Sequence, residues 1–347
     1  MVEPNADEAL RARGTMVGLV FGSMAAQVVA AAARLGLADL IGDGERTSAA
    51  LARELDAHEQ ATLRLLRAMA ALDLLTEREP GVFALTPAGA LLRTDRPDSV
   101  DSFVRMFTDP AMLRAWEHLD HSVRTGRTAF DEVFGKDFFA HLKDDPELSA
   151  RFNASMSQGT RLTAAALPGH YDFGRFRTVV DVGGGDGTLL AAILDAHPSL
   201  RGVLFDSPEG LAQAGKTLRD RGVAERCTLE TGDFFAAVPP GGDLYLLKSV
   251  IHDWDEERAA TILRHCREVI PDEGRLLIVE PVMPPVVDPS APGLMYLSDL
   301  NMLVNVGGRE RTRTDFATLC ERAGFTLTEA TPLPPQNAFH LIEAAPA

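Results

Sequence analysis

From Met16 to Leu40 the residues are mainly Ala, Val, Leu and Met with little charge, which predicts a helix too apolar all round for an ordinary surface position. Such a helix needs cover, and a second copy of the chain supplies it as well as the chain's own core, so a homodimer is expected. Two short helices follow. One opens on the capping residues Thr47 and Ser48, and the other runs from His58 to Leu74 with Leu63, Leu65, Leu66, Met69 and Leu72 as its apolar positions. Two β-type runs then flank Pro80-Gly81, and helix resumes over Ala88 to Leu92. Helix, helix, hairpin is a winged-helix layout.

From about Ser99 to Gly169 the pattern is helical, with Phe103, Phe107, Trp116, Phe130, Phe134, Phe138, Phe139 and Phe152 scattered through it as core or as the wall of an apolar pocket. After Tyr171 short apolar runs alternate with helical stretches. Strands are expected at Thr178–Val182, Val203–Asp206, Cys227–Glu230, Leu244–Lys248 and Arg275–Glu280, which together predict a parallel, doubly wound sheet. The expected organisation is a winged-helix-like domain over residues 1–98, a helical linker contributing to a substrate pocket over 99–170, and an α/β domain over 171–347. In doubly wound sheets ligands bind beyond the carboxyl ends of the strands, where Asp181, Asp206, Lys248 and Glu280 fall.

At 347 residues the chain exceeds a single ordinary core, and its 46% hydrophobic and 24% charged content is that of a folded globular protein. A formal net charge of −16 repels phosphate backbones and anionic lipid, and the second helix of the winged-helix layout offers only Arg64 and Arg67 as basic residues. Nucleic acid is therefore not expected as a partner, and dimerisation is the preferred role of that layout. The three cysteines, Cys227, Cys266 and Cys320, form no C-x-x-C pair, which argues against disulfides or structural zinc and fits a reducing, cytoplasmic setting. The opening MVEPNADEAL lacks the basic start and apolar run of a signal peptide, and no membrane span is expected. His118 and His121 stand at i, i+3 without a carboxylate at matching spacing, so they are read as packing residues and no metal site is assigned.

The chemistry concentrates in the second half. Asp181-Val182-Gly183-Gly184-Gly185-Asp186-Gly187-Thr188 links a strand to a helix, where glycine permits a sharp turn and close ligand approach. Asp206 follows at the next strand's end, placed to grip a ribose hydroxyl pair. Aligning Gly183 and Gly185 on the dinucleotide fingerprint puts Thr188 where a third glycine belongs, which disfavours a dinucleotide. Asp181 beside the glycines instead suits a cationic adenosyl ligand, S-adenosylmethionine. Asp233 can accept from an adenine amino group while Phe234 packs on the ring. His252 ends the fourth strand's polar cluster, with Glu280 and Glu310 as candidates to orient its other nitrogen.

Taken together, Asp181 to Gly187, Phe205-Asp206, Gly232-Asp233-Phe234, His252-Asp253-Trp254, Val279-Glu280 and Gly307 to Thr312 resemble the caffeic-acid-type class I O-methyltransferases, over nearly the whole chain. Asp299-Leu300-Asn301-Met302-Leu303-Val304 makes the bacterial natural-product branch the nearest in pattern. The resemblance implies a Rossmann-like methyltransferase domain behind a winged-helix-like dimerisation domain, with S-adenosylmethionine as methyl donor and S-adenosylhomocysteine as product. It implies His252 as general base, held by Glu280 and Glu310 with Asp253 beside it, and no metal, because the sulfonium is already an activated electrophile. It places Gly183, Asp206, Asp233, Phe234 and Lys248 at the cofactor, beside Asp181 and Gly185. Trp116, Met156, Asn301, Met302 and Asn305 are candidates by position for the wall of an aromatic substrate's pocket. The alternative within the same fold is N- or C-methylation, hydroxylation or cyclisation.

Overall fold

The computed structural model describes residues 6–288, 293–334 and 339–347; the first five residues of the stretch read for a leader lie outside them. The chain divides into two compact units, residues 1–110 and 111–347.

In the first unit a helix spans Ala6–Arg34 and ends at Leu35-Gly36, where Gly36 takes the left-handed conformation (φ 62°) and a short helix, Leu37–Ile41, begins. Strand β1 (Glu45–Thr47), helices Ser48–Glu54 and Glu59–Ala71, and strands β2 (Leu75–Glu79) and β3 (Val82–Leu85) complete the winged-helix layout. β1 was not visible as a periodic run. It is only three residues long and pairs antiparallel with β3, giving the order β1-β3-β2. Leu37, Leu51, Leu66, Met69, Leu75, Phe83 and Leu92 form its core.

The long first helix buries its C-terminal residues Ala30, Ala32 and Ala33, while Met16, Val17, Leu19, Val20, Phe21 and Met24 stand exposed. The expectation that no segment reaches membrane-span proportions needs correction: Asp7–Arg34 is long and apolar enough by length and composition. Its Gly, Ser and Gln residues interrupt the apolar run without lowering the average enough to disqualify it.

The second unit opens with helices from Ala111 to His170 and continues as strands β4 (Thr178–Val182), β5 (Arg201–Asp206), β6 (Cys227–Thr231), β7 (Leu244–Lys248), β8 (Arg275–Met283), β9 (Arg311–Thr312), β10 (Phe325–Pro332) and β11 (Phe339–Pro346). The sheet order is β10-β11-β8-β7-β4-β5-β6, with β9 paired to β8. β4 to β8 are mutually parallel, as expected, but β11 runs antiparallel to β8 and β10 antiparallel to β11, so the sheet is mixed. Helices bury both faces of the sheet, in one cluster around Tyr245, Leu263, Phe316 and Phe325 and another around Val179, Leu190, Leu246 and Leu277. The order reverses at β4, next to β5 on one side and β7 on the other, which opens a crevice above their carboxyl ends.

Candidate functional site

Above β4 the chain turns through Gly183 (φ 73°) in a conformation that favours glycine, and a Cβ there would come within 2.7 Å of Val250 Cγ2. The loop is fastened to its neighbours: Gly183 N donates to Phe205 O at 2.8 Å, and Gly185 N donates to Asp206 Oδ2 at 2.8 Å. Asp206 Oδ1 accepts the N–H of Ser207. Asp206 thus organises the loop while keeping acceptor capacity for a ligand hydroxyl. Asp181 is buried and its Oδ2 has no hydrogen-bond partner; burial and the nearby Asp206 push its carboxyl up to about 7. An orphaned buried carboxylate oxygen below a glycine loop fits a cationic or hydrogen-bond-donating ligand.

Asp233 is exposed and uses Oδ1 to accept the N–H of Phe235 at 2.8 Å. Phe234 is half-buried against Phe235 and stands close to Gly183, so the second predicted cluster meets the first. Burial pushes Lys248 down to about 8, against the pull of Glu280, Asp181 and Asp253. Its Nζ donates to Thr160 Oγ1 at 3.1 Å and lies 4.8 Å from the Phe339 ring centroid. Thr160 and Ser157, which donates to Asp186 Oδ2 at 2.8 Å, lie three apart on the helix Pro146–His170. Sequence reasoning missed both, since hydroxyls on a helix carry no motif.

After β7 the chain enters a tight turn through Ser249 at φ 53°, a left-handed conformation that a non-glycine residue adopts at a cost. The turn Ile251–Asp253 lifts His252 off the sheet edge. Glu280, fully buried on β8, accepts through Oε1 the N–H groups of Val250 (2.9 Å), Ile251 (3.0 Å) and His252 (3.4 Å). Its Oε2 lies 3.4 Å from His252 Nδ1. Glu310 Oε1 is nearer, 3.1 Å from Nδ1, and also accepts from Ser298 Oγ at 3.0 Å. Asp253 Oδ1 stands 3.6 Å from Nε2. Burial opposes a charge on the imidazole, but Glu280, Glu310 and Asp253 outweigh it and raise His252 to about 10. Burial likewise raises Asp253 to about 7, against the pull of His252.

Glu310 reaches this position because Gly308 lies directly on the turn: a Cβ there would sit 2.0 Å from His252 O. Asp299 Oδ1 accepts the N–H of Glu310 at 2.8 Å. His252, Glu280 and Glu310 place ligating atoms within 4.8 Å of one another, a grouping that can accommodate a cation. Here Glu280 Oε1 is committed to three backbone N–H groups, and both carboxylates face the protonatable Nδ1.

The helix Leu294–Asn305 presents Ser298, Asn301, Met302 and Asn305 at helical i, i+3, i+4, i+7 spacing, and Ser298 already touches Glu310. Asn301 Oδ1 accepts from both Trp116 Nε1 (3.0 Å) and Asn305 Nδ2 (2.9 Å), which ties three of the candidate wall residues into one network. Asn305 Oδ1 is buried without a partner. Met302 is buried beside them on this helix, and Met156 is half-buried on the helix Pro146–His170. Phe130, Phe138, Phe139 and Phe152 form a ring cluster, in which Phe139 stacks on Trp254 at 5.1 Å, just past the His252 turn. Phe103 and Phe107 instead pack on each other in the first unit.

Residues 116–326 match the model of the O-methyltransferase domain, and residues 17–95 match that of the O-methyltransferase dimerisation domain. The chain is 52% identical to the O-demethylpuromycin-O-methyltransferase of Streptomyces alboniger, over 96% of this chain and 89% of that one. A solved O-methyltransferase from neocarzinostatin biosynthesis, in complex with S-adenosylmethionine and 2-hydroxy-5-methyl naphthoic acid, superposes with a TM-score of 0.79 at 34% identity, covering 93% of this chain and 96% of the other. The phenazine-1-carboxylate N-methyltransferase of Pseudomonas aeruginosa is also similar, 33% identical over 94% of this chain and 95% of that one.

Proposed function

Because this chain belongs to the S-adenosylmethionine-dependent O-methyltransferase family, we propose that it methylates a phenolic hydroxyl of an aromatic small molecule of secondary metabolism, with His252 as general base. The observation that carries this reading is the commitment of His252 Nδ1 to Glu310. It fixes the tautomer with the proton on Nδ1 and leaves Nε2 to take a proton. An N-methylating relative does not displace the reading, since an amine nucleophile has little use for a base so strongly supported by carboxylates.

When bound, S-adenosylmethionine supplies the electrophilic methyl group. Asp181, Gly183, Gly185, Asp206, Asp233, Phe234 and Lys248 form its cradle in this reading, and the unpartnered Asp181 Oδ2 is the observation that fits them to it. Trp116, Met156, Asn301, Met302 and Asn305 wall the acceptor's ring. A free phenol titrates at ~10 and a free imidazole at ~6.5, a mismatch of ~3.5 units that would oppose proton transfer. The carboxylates around His252 raise it and so narrow that mismatch. The resting imidazole is then mostly protonated at neutral pH, so the rate should climb with pH. The remaining contribution of the chain is orientation of acceptor and donor in line.

The exposed apolar face around Met16–Met24 is covered by a second copy of the chain in this reading, supported by the dimerisation-domain match. The test is isothermal titration with S-adenosylhomocysteine and transfer of labelled methyl to a panel of phenols and aryl amines, for wild type and His252→Ala. Binding in both with phenol transfer only in wild type is expected. Equal transfer removes His252 from the reaction, and amine-only transfer removes the phenol.

A further inference from the structure

The turn that carries His252 is gripped from two sides by opposite charges. Glu280 takes its N–H groups, as described. From the other side Arg311, with a fully buried side chain, donates Nη1–H to Ile251 O at 2.8 Å and Nη2–H to Trp254 O at 3.0 Å. Its Nε–H donates to Glu256 Oε1 at 3.1 Å. The two carbonyls bracket His252 and Asp253 in the chain.

Burying a guanidinium is costly, and an apolar residue of similar volume often serves stability as well. Here the buried charge is directed at two carbonyls of a single turn. That turn enters through a left-handed Ser249, so its shape is imposed from outside rather than preferred by its own backbone. Only a planar fork can serve both carbonyls and Glu256 at once; an ammonium is a point charge on a flexible stem.

The geometry points to Arg311 as a positioning residue for the base: it holds the Ile251–Trp254 turn so that His252 Nδ1 stays on Glu310 and Nε2 stays aimed at the acceptor. This rests on the proposed role of His252. Arg309 is the natural comparison, because it pairs with the same Glu256 and with Asp315 but makes no hydrogen bond to the turn.

The experiment compares Arg311→Ala, Arg311→Lys and Arg309→Gln for kcat, KM, S-adenosylhomocysteine affinity, thermal midpoint and the pH dependence of kcat/KM. Arg311→Ala should lose kcat on the order of 100-fold, the scale of a small misplacement of a reacting group, with cofactor affinity unchanged. Its acid limb should move to lower pH, as the imidazole leaves its carboxylates, and low concentrations of guanidinium should restore part of kcat. Arg309→Gln should keep kcat. The proposal is overturned if loss in Arg311→Ala tracks only the folded fraction, with an unmoved pH limb and no guanidinium rescue. Should Arg311→Ala fail to fold, unchanged kcat per folded Arg311→Lys overturns it equally. Full transfer by His252→Ala would fail the base reading itself, whereas a negative Arg311 result leaves that reading standing.

Discussion

Replacing Glu310 with Gln keeps the shape of the side chain facing His252 Nδ1 and removes its charge. The rise of His252 from 6.5 to about 10 corresponds to about 5 kcal/mol in favour of the imidazolium, net of the burial that opposes it. Glu280 and Asp253 share that sum. A hydrogen bond to a charged partner contributes roughly 1.5–3 kcal/mol and a neutral one roughly 0.5–1.5, so Glu310→Gln should cost the imidazolium ~1–1.5 kcal/mol. That lowers the titration of His252 by about one unit. Since the base must be unprotonated to act, the acid limb of kcat/KM moves down in pH, while the weaker base lowers the plateau by about tenfold. Wild type and variant should therefore differ most at high pH and converge toward neutrality. The assay is labelled-methyl transfer to one accepted phenol across about pH 6 to about pH 11, with S-adenosylhomocysteine titration as the folding control. An acid limb that stays in place, or moves upward, refutes the assignment of Glu310 as the partner that sets the base.

Gly308→Ala should destabilise the protein by about 1–3 kcal/mol or more, seen as a lower thermal midpoint together with lost activity, because the new Cβ would overlap His252 O. An unchanged midpoint would show that the loop has room the geometry denies it. Asp206→Asn should weaken S-adenosylhomocysteine binding by about 10-fold to 100-fold in calorimetry, the scale of lost hydrogen bonds to a charged group. Val20→Glu combined with Phe21→Glu places charge on the exposed apolar face of the first helix and should give single-chain mass in light scattering. A wild-type mass of one chain would remove the dimer from consideration.

The parallel strands β4, β5, β7 and β8 and the residues at their carboxyl ends are legible because each carries a short apolar run leading to a polar residue with chemical use, whereas β6 is mostly exposed and lacks such a run. The antiparallel β10 and β11 are not legible, since Phe325–Pro332 alternates exposed Thr and Glu with few buried residues and lacks a continuous apolar run. The same holds for β1, whose three residues are defined by pairing alone. At the site, His252, Glu280 and Glu310 could be named from motif position, but their division of labour could not. Glu280 is chiefly a cradle for backbone N–H groups, and Glu310 is the carboxylate nearest the imidazole. Arg311 lies within the Gly307 to Thr312 segment, yet its burial and its two carbonyl partners arise from tertiary packing that one-dimensional spacing does not encode. Trp116 and Asn301 are both wall candidates by position, but that they share a hydrogen bond across a long sequence gap emerges only from the folded chain.

The sheet order also constrains how the protein is made. β11 lies between β10 and β8, and His340 on β11 is the register partner of Glu280 on β8. β8 is synthesised well before β11, so during translation the strand bearing the buried glutamate lacks the neighbour that finally flanks it on that side. An unpaired strand flank is a template for adventitious pairing, and contacts this distant in sequence form slowly. Truncation before Phe339, even though far along the chain from His252, would leave that strand open to aggregation rather than yield a trimmed enzyme with a working centre.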